Sequence, residues 1–206
     1  MPSRIWIQVV VLTVAVVFTA GLWLTGGHPQ LAWLRFFSAA VTVAALVAGI
    51  WDHWLWRLAW VQRTHRVPRS IRGTWRGTLE SMWINPETGT GTPAKLAFLV
   101  VRQTASHTSA TLLTDESRST SELSRLVAGD GTASLVYVYL NTPDNSIQDR
   151  SRMHYGSTSL AISGVPATRL HGHYWTDRDS RGDLDFKDHR KGTVEDYEQA
   201  VTLFGS

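Results

Sequence analysis

The sequence predicts an all-β domain, a small eight-stranded antiparallel up-and-down barrel, preceded by a two-helix transmembrane hairpin. Three observations predict it. The first fifty residues carry almost no charge, and the ionic residues crowd beyond Asp52. After Pro68 the hydrophobic period changes from helical to alternating. Short alternating runs then recur at even spacing with no helical pattern between them.

The first span is IWIQVVVLTVAVVFTAGLWL, Ile5 to Leu24, apolar except for Gln8 and two threonines. At about 1.5 Å per residue it reaches about 30 Å, one hydrocarbon core. TGGHPQ then breaks the helix, because Gly26 and Gly27 are poor helix formers and Pro29 ends one pattern and starts another. LAWLRFFSAAVTVAALVAGIW, Leu31 to Trp51, is the second span, with Arg35 one turn inside it and able to snorkel. Trp6, Trp23, Trp33, Trp51 and Trp54 fall near the span ends, as interfacial indoles do. Small residues line the second span: Ala39, Ala40, Ala44, Ala45, Ala48 and Gly49. They predict a close helix–helix seam for self-association. The competing reading of the first span is a cleaved signal peptide, but its apolar run exceeds the usual ~7–15 residues.

Charge sets the orientation. The loop between the spans has no Lys or Arg, whereas Arg57, Arg63, Arg66, Arg69, Arg72 and Arg76 follow the second span with no acid between Asp52 and Glu80. The positive-inside rule places both termini in the cytoplasm of a multi-pass inner-membrane protein. The predicted boundary separates residues 1–67, hairpin and basic juxtamembrane helix, from residues 68–206, the barrel.

The strands follow in order: TWRGTLESMW, KLAFLVVRQ, SATLLTD, SELSRLVAG, SLVYVYLN, STSLAISG, RLHGHYWTD and GDLDFKD. In the first, Trp75, Gly77, Leu79, Ser81 and Trp83 share one face. Eight strands suffice to close a barrel and remove exposed edges; a two-sheet sandwich is the alternative. TVEDYEQAVTLF, Thr193 to Phe204, predicts a capping helix with Thr193 as N-cap.

The richest cluster of chemistry is HGHYWTDRDSRGDLDF, His171 to Phe186. A calcium loop starting at Asp177 is disfavoured, because Arg181 occupies the fifth position, where an oxygen ligand belongs. His171 and His173 share a strand face, but a zinc site needs a third ligand and only Asp177 is near in sequence. The chain has no cysteine, which excludes disulfides and thiolate chemistry. It also lacks a nucleophile elbow, an HExxH and a P-loop, so no catalytic function and no metal site is expected. The block reads as a hairpin, with Leu170, Gly172, Tyr174 and Thr176 on one face and His171, His173 and Trp175 on the other.

Two N-terminal spans, a basic juncture and a β-rich domain opening on RGTWRGTL and closing on YWTDR…RGDLDF resemble a known family. They are similar to the two-transmembrane, β-strand-rich effectors associated with bacterial nucleotidyltransferases in CBASS anti-phage operons. The resemblance implies a compact, lipocalin-like barrel that binds a cyclic dinucleotide made by a cognate nucleotidyltransferase. It implies no other cofactor, and no DNA or RNA partner. Ligand binding would drive self-association through the helices, disrupt the lipid bilayer and kill the infected cell. For such a ligand, aromatic faces suit the bases and Arg forks suit the phosphates. The expected ligand-binding residues are Trp75, Tyr139, Tyr174 and Trp175 for the bases, and Arg76, Arg102 and Arg178 for the phosphates. One alternation phase alone can face inward on each strand, so these seven cannot all meet. A membrane-anchored lipid or hydrophobe carrier and a constitutive membrane scaffold are the alternatives.

Overall fold

A computed structural model describes the chain except for residues 1, 25, 27–31, 65–66, 85–88, 129–131, 148–150 and 206, and except for the side chains of residues 2–7 and 32–36. The chain divides into two compact units. One comprises residues 1–67 with 104–106, the other residues 68–103 with 107–206.

The first unit pairs α1 (Pro2–Leu24) with α2 (Ala32–His53), followed by a 3-10 turn at Leu55–Arg57 and the short α3 (Ala59–Gln62). Among the described residues, Phe37–Arg57 is the one stretch long and apolar enough to cross a membrane, and Gln8–Leu24 is a shorter apolar helix. The predicted pair of spans thus has one qualifying member here, because residues 5–7 and 31–36 of the two predicted spans lie outside the side-chain description. The break at residues 25–30 is described only at Gly26, and the side chain of Arg35 lies outside too. Ala40 and Ala44 are buried, as is Gly21 on α1, whereas Ala39, Ala45 and Gly49 are exposed. Part of the predicted seam is therefore consumed inside this unit, where small side chains let helices approach closely.

The second unit is a closed barrel of eight antiparallel strands joined in sequence order. They are β1 (Gly73–Ser81), β2 (Lys95–Gln103), β3 (Thr108–Leu113), β4 (Ser117–Ala128), β5 (Ala133–Pro143), β6 (His154–Ser163), β7 (Arg169–Thr176) and β8 (Arg181–Arg190). β8 closes on β1, pairing Leu184 with Leu79 and Phe186 with Gly77. Closure removes both edges, which settles the barrel over the sandwich.

Period-two alternation turns one row of each strand inward. The inward rows form one apolar core that includes Trp75, Leu99, Leu135, Tyr137, Leu160, Leu170 and Phe186. β2 lacks alternation because both of its faces are buried. Its outward Phe98 and Val100, with Leu113, are covered by Val194, Tyr197, Ala200, Leu203 and Phe204 of the C-terminal segment. That segment forms α4 (Tyr197–Gly205), shorter than the predicted helix. Asp196, not Thr193, serves as its cap, since Asp196 Oδ1 accepts the Gln199 N–H at 2.8 Å.

Candidate functional site

The inward rows are graded along the barrel. On β5 the row runs Leu135, Tyr137, Tyr139, Asn141, from apolar to polar. On β6 it runs in the opposite chain direction, His154, Gly156, Thr158, Leu160. Antiparallel pairing puts Asn141 opposite His154 and Leu135 opposite Leu160. The polar ends therefore gather at one mouth of the barrel and the apolar ends fill the other.

At the polar mouth lies a cavity of about 210 Å³. Of its lining residues only Leu79, Leu112 and Ile147 lack a side-chain nitrogen or oxygen. Tyr139 and Tyr174 supply aromatic rings, Thr158 sits deeper, and Ser81, Ser119, Asn141 and His154 surround them. Ser119 donates to Asn141 Oδ1 at 2.8 Å. His154 Nδ1 lies 3.0 Å from the Arg152 carbonyl oxygen, so this nitrogen carries the proton in the neutral ring. Burial lowers the pKa of His154, and the nearby Arg178 lowers it further. Burial raises the pKa of Tyr174 and of Tyr139, so both phenols stay protonated donors at neutral pH.

Two cations line the cavity among the described residues. Lys95 is paired with Glu116. Arg178 stands on the β7–β8 turn, whose position is set locally. Thr176 N–H donates to Ser180 O at 2.9 Å, Asp179 takes a positive φ of 59°, and Asp177 exchanges bonds with Tyr155 on β6. Among the described residues, the Arg178 guanidinium makes one long contact, donating to Ser151 Oγ at 3.4 Å. It thus has capacity left for an anion at the rim.

Tyr139, Tyr174 and Arg178, three of the seven residues expected from sequence, meet in this cavity. The other four lie elsewhere. Trp75 is inward but wholly buried at the opposite end of the barrel, stacked on His189 at 4.2 Å, with its Nε1 donating to Ile71 O. Arg76 faces outward, bonded to Asp188 Oδ2 at 2.6 Å and lying over the Phe204 ring. Arg102 faces outward and donates to Val194 O at 3.3 Å. Trp175 takes the outward phase of β7 and is half-exposed. Alternation is the physical reason: Trp175 follows Tyr174, and Arg76 follows Trp75, so each pair is split across the wall. Sequence reasoning passed over Thr158, Asn141, His154 and Ser119. The readable signal was the row itself, a polar residue ending an otherwise apolar inward series.

On the outer wall His173 pairs with Asp183 at 2.5 Å, and His171 stands opposite Asp185, which Arg169 holds in two bonds. This is an ion-pair ladder on the outside of the hairpin, separate from the cavity.

A family model described as "Cap15, cyclic dinucleotide receptor domain" matches residues 66–188, which run from before β1 into β8. The chain is also 23% identical over 182 residues to "CD-NTase-associated protein 15" of Staphylococcus schleiferi, covering 88% of this chain and 91% of the relative.

Proposed function

The chain belongs to the family of the Cap15 cyclic dinucleotide receptor domain, and on that premise we propose that it is a CBASS anti-phage effector whose barrel binds a cyclic dinucleotide. The observation that carries the proposal is the cavity at the polar mouth, where two aromatic rings, a set of hydroxyls and the Arg178 guanidinium converge. Rings suit base stacking, and a guanidinium at the rim suits a phosphate. A fatty ligand leaves polar groups unpaired, and this cavity is studded with hydroxyls, an amide and an imidazole.

The ligand is made by a cognate nucleotidyltransferase after infection. Two apolar helices, with both termini cytoplasmic, anchor the chain in the inner membrane. Ligand binding favours a self-associated state of those helices, which disrupts the bilayer and ends the infected cell. A ligand can shift that equilibrium only through unequal affinity for the two states. The match to a receptor family and the apolar Phe37–Arg57 helix support this reading.

The test uses the full-length chain in detergent and in vesicles. Calorimetry against a panel of cyclic dinucleotides is expected to find one that binds, and dye-loaded vesicles carrying the protein are expected to leak only when that ligand is added. Absence of heat with every member of the panel overturns the ligand assignment. Leakage that ignores the ligand overturns the coupling. Co-purified lipid in the barrel supports the carrier instead.

A further inference from the structure

Thr158 lines the deep end of the cavity, and its cross-strand partner Tyr137 lies in the core beside it. Tyr137 and Thr158 face each other across β5 and β6, both point into the barrel, and both are about 1% exposed. Tyr137 Oη and Thr158 Oγ1 make no hydrogen bond of acceptable geometry. The neighbouring Thr158 hydroxyl offsets only a little of the burial that pushes the Tyr137 pKa up to about 12. A buried hydroxyl without a partner costs free energy, and two together mark a place that polar atoms of something else complete.

Charge decides what enters. Among the described residues, the deep lining at Thr158, Tyr139 and Tyr174 is neutral, and the cations Lys95 and Arg178 sit at the rim. A phosphate driven to the floor would be desolvated with no cation to pair it. A nucleobase edge is neutral and offers donors and acceptors to hydroxyls. Size decides how much enters. The described residues enclose about 210 Å³, less than the ~300 Å³ at which pockets that swallow a whole drug-sized ligand begin. A cyclic dinucleotide, with two bases, two sugars and two phosphates, exceeds that.

Building on the proposed cyclic dinucleotide receptor function, we infer that this barrel takes the ligand half-way, base first. One base passes between the Tyr139 and Tyr174 rings to the deep lining, where Thr158, backed by Tyr137, reads its polar edge. One phosphate stays at the rim with Arg178. The second base remains outside and is not read. Specificity is therefore for one base, not for the pair.

The ligand test follows from symmetry. A symmetric cyclic dinucleotide presents two equivalent halves and a mixed one presents a single favoured half. A mixed ligand and one of its two symmetric parents should then bind the full-length chain within about threefold of each other, while the other parent binds at least about tenfold more weakly. Tyr137→Phe and Thr158→Val should each weaken the favoured ligand about tenfold and narrow its lead over the disfavoured parent. Neither should lower the unfolding temperature, because neither loses a bond within the protein. If both symmetric parents bind far more weakly than the mixed ligand, both bases are read and the inference falls. Unchanged affinity in both variants also overturns it, leaving the two hydroxyls to solvent alone. No binding by the unaltered chain defeats the receptor reading itself, a separate outcome.

Discussion

The end of the Tyr139 ring lies over Gly156, its partner on the adjoining strand. A Cβ built at Gly156 would stand 2.3 Å from both Cζ and Oη of Tyr139. The same pairing recurs on the next hairpin, where a Cβ at Gly182 would meet Tyr174 Cε1 at 2.7 Å and Oη at 2.9 Å. Each cavity tyrosine thus rests in the space that a glycine across the ladder leaves open.

Gly156→Ala should push the Tyr139 ring into the cavity. The overpacking should cost about 1–3 kcal/mol of stability, and ligand affinity should fall with it. Thermal unfolding and calorimetry on the same preparation check this. A variant unchanged in both would show that the ring has another place to go.

Arg178 and Arg102 separate the rim from the outer wall. Arg178→Ala should weaken binding of the anionic ligand about tenfold, with a reduced salt dependence, because it removes a charge-assisted contact. Arg102→Ala, which gives up the bond to Val194 O on the outer wall, should leave affinity unchanged. Equal losses in the two variants would move the phosphate contact away from the rim.

Trp75 distinguishes core from site. It is fully buried and stacked on His189 at the end of the barrel away from the cavity. Trp75→Ala should destabilise the barrel by about 3–5 kcal/mol. The milder Trp75→Phe should lower the unfolding temperature while preserving ligand affinity. A loss of affinity in folded Trp75→Phe would return this residue to the site.

Titration brackets the pH range of full stability. The folded pKa of Tyr137 is raised by burial to about 12 from 10.0. The unfolded chain therefore loses this proton first, and stability is whole below pH 10 and falls as pH rises toward 12. His189 and His154 are shifted the other way, lowered from 6.5 chiefly by burial. The unfolded chain takes up these protons first, so their contribution is present above pH 6.5 and lost as pH falls below it. Denaturant midpoints across pH should show both shoulders. Tyr137→Phe should shrink the alkaline one, to which the raised pKa values of Tyr139 and Tyr174 also contribute, and leave the acid one in place.

Much of the fold was legible in the residue order. Alternation in TWRGTLES and RLHGHYWT announced strands and even their faces, since a period of two is local. Eight evenly spaced runs without helices between them pointed to an up-and-down barrel. KLAFLVVRQ does not alternate, because the C-terminal segment covers its outer face.

The sequence by itself determined the strands, which residues share a strand face and the apolar character of the N-terminal helices, because each depends on neighbours a few residues away. It also held the family likeness. Only the tertiary structure decided which aromatic and arginine residues share a space. Trp75 and Tyr174 both face inward, yet closure and register put them at opposite ends of one barrel. Tyr139, Thr158, Tyr174 and Arg178 meet across β5, β6, β7 and the β7–β8 turn, a proximity set by cross-strand register and absent from any single segment. Register is a property of pairs of strands, and a site built from four segments exists only once all of them have paired.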